Sequence, residues 1–479
     1  MDRKTAFYFI LIPLLMSCLS VLLCLVDIGQ KALFTVLVVT PSIITLLLSN
    51  VHFSVSFKYE LKLLLIFAFG IFFAFTLCKG YEIFFGLPTN RITAIEGKML
   101  YDSSFSGSGK SLVRISLERC RDNCGNWTSA KGIVTALGDK RAVVTSGIEV
   151  RLEGAFSDEL FIYDKLLVTE RSSINDIREY LIETIEERLY GDSFKEQGEP
   201  DEPALLSSLL LLGRAEDYNF PLAEAARNCG CAHVLALSGM HLSVLASLCS
   251  TLFGKRKWAR VLTGIVIGIF VFIAGPRPSL VRSAIMFFLG KRFSSKQKIV
   301  MAFFIQSLLL PFSMLDLGCC YGYVSVFAII YLWAVIKAPF EAVCGKKFLN
   351  SFFLSVSVLL LCAPVQLLND GFWCPVALIV SSLASFLVTL SMGIGLLILS
   401  FGRLNCLIWL NSLVYNLLSK IFEFFGNVPK AGWFSYGIMV LAVVVLEVVC
   451  LLYRKRQKGK IKTYCFAGKF DLEVFEKPL

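Results

Sequence analysis

The sequence returns again and again to uninterrupted apolar runs, and nothing else in it constrains the fold as strongly. The runs lie near 5–26, 32–49, 61–78, 233–253, 259–274, 278–290, 298–311, 319–336, 348–368, 373–400, 404–425 and 433–453. Most have the length a helix needs to cross a bilayer, about 17–25 residues, and the chain therefore reads as a polytopic α-helical membrane protein with about twelve spans. The runs at 278–290 and 298–311 are short for a full crossing. The first run follows Met-Asp-Arg-Lys and is too long for the core of a cleaved signal peptide, so it reads as a span. Only 17% of residues are charged and 56% are hydrophobic, which leaves room for a single polar region, residues 80–202.

The short loops orient the spans. Arg3 and Lys4, Lys58 and Lys62, Lys255 to Arg260, Lys291 to Lys298, Lys337 to Lys347, Arg403, and Arg454 to Lys462 all fall on one side. The alternate loops carry little charge. Because basic loops stay on the cytoplasmic side, both termini are expected in the cytoplasm of a bacterial cell, with the inner membrane between them and 80–202. The net charge of +11 is then mostly a cytoplasmic rim and implies no nucleic acid by itself.

Residues 91–171 alternate apolar and polar side chains. Arg91–Tyr101, Ser111–Arg119, Thr128–Leu137, Ile148–Phe156 and Leu160–Glu170 are the expected strands. Five short strands with turns between them suggest a small extracytoplasmic β-barrel, of which the oligonucleotide/oligosaccharide-binding (OB-like) barrel is one form. Its charges nearly cancel, so it lacks the basic footprint of a tight DNA binder. Cys120 and Cys124 flank a polar turn, where a disulfide and two free thiols are both open. Residues 174–189 place Ile174, Ile177, Leu181, Ile185 and Leu189 on one helical stripe, with acids opposite. This gives five regions: N-terminal spans 1–79, the barrel domain 80–172, an amphipathic helix and acidic linker 173–202, a membrane core 203–453 and a basic tail 454–479.

Two of the three histidines, His233 and His241, open the fourth run. Eight residues apart on one helix, they would sit on neighbouring faces, offset by roughly 80°. Ser238-Gly239 precedes His241 and is expected to kink the helix. An ionisable group at membrane depth usually faces a polar interior; the plain alternative is one hydrogen bond to a neighbouring helix. Gly275-Pro-Arg277-Pro278-Ser279-Leu-Val-Arg282 breaks the backbone between two runs. Arg282 then either snorkels to the outer surface or lines a polar cavity. Gln306, Gln366, Asn411, Asn416 and Glu447 also lie inside apolar runs. Gly107-Ser-Gly-Lys110-Ser111 lacks the first glycine and the following helix of a phosphate-binding loop and reads as a hairpin turn. Ser238-Gly239 has the look of an intramembrane serine protease motif, but the only histidine off that helix is His52. Three histidines give little material for a metal-hydrolase site, and no metal or other cofactor is expected.

Ala204 to Arg214, Gly230-x-x-His233, Leu237-Ser238-Gly239-Met240-His241-Leu242 and Pro278-Ser279-x-x-Arg282 together resemble the ComEC competence family. The likeness covers roughly 200–400, and the outer barrel resembles the family's extracytoplasmic domain. The resembled form lacks the C-terminal metallo-β-lactamase-like domain, since no His-x-His-x-Asp-His motif occurs before Leu479. The stretch after Asp316 also differs from the family pattern. The resemblance implies a non-enzymatic channel for single-stranded transforming DNA. His233, Ser238, Gly239, His241, Gly275, Pro278, Ser279 and Arg282 are then candidates for the substrate path, with the break at Gly275–Ser279 at its outer mouth. It also implies an outer DNA receptor, a cytoplasmic ATPase or helicase and a separate nuclease as partners, and leaves a homo-oligomer open. Two other readings stand beside it: a transporter of another polyanionic or lipid-linked substrate on the same fold, and an intramembrane hydrolase with Ser238 as nucleophile.

Overall fold

The computed structural model describes residues 83–445, except 106–109, 139–143, 158–159, 192–200, 215–219, 255–256, 334–335 and 337–349. The three expected N-terminal spans, His52, Glu447 and the basic tail lie outside the described residues.

The polar region begins with eight strands: β1 (Phe84–Phe85), β2 (Ile92–Met99), β3 (Ser104–Phe105), β4 (Ser111–Asp122), β5 (Trp127–Lys131), β6 (Ile133–Gly138), β7 (Glu149–Ser157) and β8 (Leu160–Glu170). Five of them close a circuit, β2–β4–β6–β8–β7–β2, antiparallel throughout except for the parallel pair β6–β8. This is a five-stranded barrel with Greek-key connections. Period-two alternation makes it: along β4, Val113, Ile115 and Leu117 point inward while Arg114 and Ser116 do not. Ile95, Ile148, Leu152 and Phe161 complete a fully buried centre. Each such side chain contributes about 1.5–3 kcal/mol relative to exposure.

The single strand expected over Thr128–Leu137 is two strands, and Gly132 separates them with φ 116. β4 is long enough to use both. Its Arg119–Arg121 end pairs with β5 and its Ser111–Ser116 end pairs with β6. The Cys120–Cys124 disulfide left open by the sequence is not formed. Cys120 sits in the barrel core with its Sγ 3.2 Å from Thr128 Oγ1, while Cys124 is exposed on the turn.

Helices follow: α1 (Ser173–Tyr190), α2 (Glu202–Leu212), α3 (Pro221–Asn228), α4 (Ala232–Leu235), α5 (Gly239–Phe253), α6 (Lys257–Ala274), α7 (Pro278–Phe288), α8 (Ser295–Leu309), α9 (Leu317–Phe327), α10 (Asn350–Asp370), α11 (Ala377–Phe401), α12 (Asn405–Gly426) and α13 (Trp433–Val445). Every apolar run from 233 onward is thus largely helical among its described residues. By length and composition, Phe353–Asp370, Ala377–Phe401 and the stretch Ala232–Phe253, which is interrupted at Ala236–Ser238, suffice to cross a membrane. α7 has 11 residues, about 16 Å of helix, well short of a bilayer's hydrocarbon core. The bundle packs around α11, whose Val380, Ala384 and Val388 are fully buried with Leu206 and Leu210 of α2 and Leu418 of α12.

α1 departs from the expected stripe. Ile174 and Ile177 are exposed, and Asn175, Arg178, Ile182 and Leu189 face inward. The helix is turned so that Arg178, with the partners described below, lies inside. Arginines also tie helix ends together: Arg277 donates to Gly213 O beyond α2, Arg188 to Leu399 O of α11, and Arg403 to Leu189 O of α1. Each puts a cation on the carbonyl-rich, negative end of a helix, where it is favoured.

Candidate functional site

The Ser238-Gly239-x-His241 motif begins a helix and does not kink one. After the four-residue α4, Ala236 and Ser238 are extended, and Ser238 caps α5. Met240 N–H donates to Ser238 Oγ (3.3 Å), and Ser238 N–H donates to His241 Nδ1 (3.1 Å). His241 does here what Glu or Gln does at the third position of an ordinary capping box. With Nδ1 accepting, the proton of the neutral imidazole is on Nε2. The ring is fully buried, and Nε2 has no partner among the described residues.

Gly239 lets α7 come close. A Cβ there would lie 2.5 Å from Ser283 Oγ and 3.9 Å from Arg282 Nη2. On the other side of α7 stands α9, where a Cβ on Gly322 would lie 2.2 Å from Arg282 Nη1 and 3.0 Å from Ser279 Oγ. The Arg282 guanidinium therefore occupies a slot between two glycines. It is 4% exposed and lies 5.4 Å from the centre of the Tyr323 ring. It makes no ion pair or hydrogen bond among the described residues, and its Nε and Nη1 are orphaned. Of the two sequence alternatives, snorkelling is excluded by this burial.

The surroundings are fixed by hydrogen bonds. Ser279 Oγ donates to Gly318 O (3.2 Å), and Ser283 Oγ to Ser279 O (2.8 Å). Gln306 of α8 accepts from Tyr323 OH (2.9 Å) and donates to Pro278 O (3.2 Å) and Ser313 Oγ (3.1 Å). Ser238, Gly239, His241, Pro278, Ser279 and Arg282 thus come together where α5, α7 and α9 meet. Ser283, Gly322 and Tyr323 join them without having been singled out in the sequence. Gln306 had been noted only as a polar residue within a run. His233 is not part of the cluster: it is exposed on α4, because the extended stretch between α4 and α5 breaks the helix that would have aligned the two histidines. Among the described residues no three His, Cys, Asp or Glu side chains are grouped as metal ligands.

Gly275 belongs to a different assembly. Arg178 of α1 pairs with Asp102 of the barrel through Nη1–Oδ1 (2.8 Å) and Nη2–Oδ2 (2.7 Å), and Nη1 also reaches Ser146 Oγ (3.1 Å). Its Nε donates to Phe272 O (2.9 Å) and its Nη2 to Ile273 O (3.1 Å), at the end of α6. One guanidinium thereby joins barrel, α1 and α6. Gly275, with φ 84, follows at once, and a Cβ there would lie 2.6 Å from Arg178 Nη2. Burial pushes the Asp102 carboxyl up. The Arg178 hydrogen bonds and charge outweigh this and hold it below the usual carboxylate range.

A sequence profile described as Competence protein matches residues 210–457, more than half of the 479-residue chain. The chain belongs to the competence protein family. The α5–α7–α9 crossing lies wholly inside the family segment, as does the Gly275 turn, while the barrel and α1 precede it. No curated protein and no solved structure matches the chain.

Proposed function

We propose that this member of the competence family is an inner-membrane channel that passes single-stranded DNA into the bacterial cytoplasm, with both termini cytoplasmic and the barrel outside. The observation that carries the reading is family membership over the segment that holds the buried polar crossing. A strand carries one negative charge per nucleotide, and moving it across about 30 Å of hydrocarbon requires donors along an interior path. Arg282 and the start of α5 supply donors and a cation beside the apolar packing of Leu237, Leu242, Leu280 and Ala284. The guanidinium is enclosed, and in this reading helix movement at the Gly239 and Gly322 contacts would open the path. A cytoplasmic ATPase or helicase would supply the energy, an outer receptor would deliver the strand, and a separate nuclease would remove its complement.

The protein itself acts without catalysis in this reading. Ser238 Oγ lies 3.3 Å from His241 Nδ1, but both groups are engaged in the helix cap, and among the described residues His241 Nε2 has no orienting acceptor of the kind a nucleophile–base pair uses. The test is deletion of the gene followed by exposure to labelled DNA. Nuclease-protected label should disappear while surface-bound label stays. Unchanged protected label would end the uptake reading.

A further inference from the structure

We infer that the meeting point of α5, α7 and α9 is a seat for a single phosphate group, held by Arg282 beside the start of α5. The inference rests on the DNA-uptake reading in taking a nucleic-acid phosphodiester as the source of that phosphate. Three observations point to an oxyanion. First, the unmet side-chain atoms of Arg282 and His241 among the described residues are all donors. Arg282 offers Nε–H and Nη1–H, and His241, with Nδ1 already accepting, offers Nε2–H. Buried donors without an acceptor are costly to leave as they stand. Second, Arg282 lies in the first turns of its own helix and beside the first residue of α5, with Gly322 in the second turn of α9 on its other side. Helix N-termini carry partial positive charge, so a cation there is disfavoured and an anion favoured. Buried Arg178 and half-buried Arg277 and Arg403 sit on helix C-termini instead. Third, the slot is built. Gly239 and Gly322 leave room for the guanidinium, and the Tyr323 ring above it is fixed by Gln306. A fork of coplanar donors matches phosphate, and lysine would match it less well.

The experiment uses the full chain, purified in phosphate-free maltoside micelles, with its thermal unfolding midpoint followed as inorganic phosphate is added. The wild type should be stabilised in a saturable manner, with the half-saturating concentration at least about tenfold higher for Arg282→Gln and in between for Arg282→Lys, since a charge-assisted contact is lost in one and weakened in the other. Without phosphate, Arg282→Gln should unfold at or above the wild-type temperature, because it removes an unmet buried charge. An equal phosphate effect in wild type and Arg282→Gln, or an Arg282→Gln protein that unfolds well below wild type without phosphate, would overturn the seat. Three further probes decide the source. A short single-stranded oligonucleotide should stabilise, its uncharged methylphosphonate counterpart should not, and phosphatidylglycerol should not. Stabilisation by the lipid alone would assign the seat to a headgroup and refute the nucleic-acid source. Loss of import on gene deletion with no phosphate effect would remove the seat and leave the uptake reading. A phosphate effect with intact import after deletion would do the reverse.

Discussion

Arg178 and Arg282 are equally buried, at 3% and 4% exposure, and are opposite in every other respect. Arg178 spends its donors on a carboxylate, a hydroxyl and two carbonyls at a helix C-terminus. Arg282 meets an aromatic face and the start of α5, with two nitrogens unmet among the described residues. A buried ion pair with further hydrogen bonds can repay the cost of desolvation, whereas an isolated buried cation cannot. Burial alone therefore does not tell the two arginines apart; the accounting of their donors does.

The comparison can be broken most sharply at Arg178. Arg178→Met leaves Asp102 buried without its partner and is expected to destabilise the protein by about 3–5 kcal/mol, as removal of one member of a buried pair does. Chemical unfolding of the purified chain measures it, and a loss below about 1 kcal/mol would reduce the latch to an ornament. The same latch predicts a pH dependence. Asp102 has its carboxyl held down in the folded state, so its contribution is present above the unfolded pKa of about 3.9 and is lost as pH falls through the lower folded value. Stability should hold at pH 5 and drop toward pH 3, and Asp102→Asn should flatten that part of the curve.

Gly275→Ala tests the latch from the other side. The positive φ and the nearby Arg178 should together cost about 1–3 kcal/mol, read from the same unfolding curves. Ser238→Ala removes a helix cap, worth about 1 kcal/mol, and should keep appreciable DNA uptake, whereas His241→Ala should lose most of it. Transformation frequency normalised to membrane protein level is the readout, and total loss in Ser238→Ala with full activity in Ser238→Cys would favour a nucleophile. The smallest effect on stability belongs to Arg282→Met, expected within about 1 kcal/mol of wild type or above it. Its DNA uptake should nonetheless fall at least tenfold, with Arg282→Lys restoring part. That pairing, a silent change in stability with a large one in uptake, is the mirror image of Arg178.

Sequence periodicity carried most of the fold. Alternation located the barrel strands, with Leu160–Glu170 correct to the residue, and it failed at Gly132 because period two runs on through a glycine that changes partner strand. Apolar length found the helices but not the start of α5, since Ala236–Ser238 is as apolar and small as the helix it interrupts. The site was half legible. Arg282 and His241 stood out as ionisable groups within apolar runs, but Gly322 and Tyr323 are unremarkable in composition and matter only through distance. Asp102 and Arg178 gave no signal, because each sits in a polar segment where a charge needs no explanation.

The latch also orders the birth of the protein. Arg178 is 76 residues from Asp102 and 94 from Phe272 in the chain. During synthesis the barrel emerges first, then α1, and the carbonyls that complete the guanidinium come only with the end of α6. Asp102 can meet Arg178 as soon as both are made, but the guanidinium's full set of contacts can close only once the end of α6 has been synthesised.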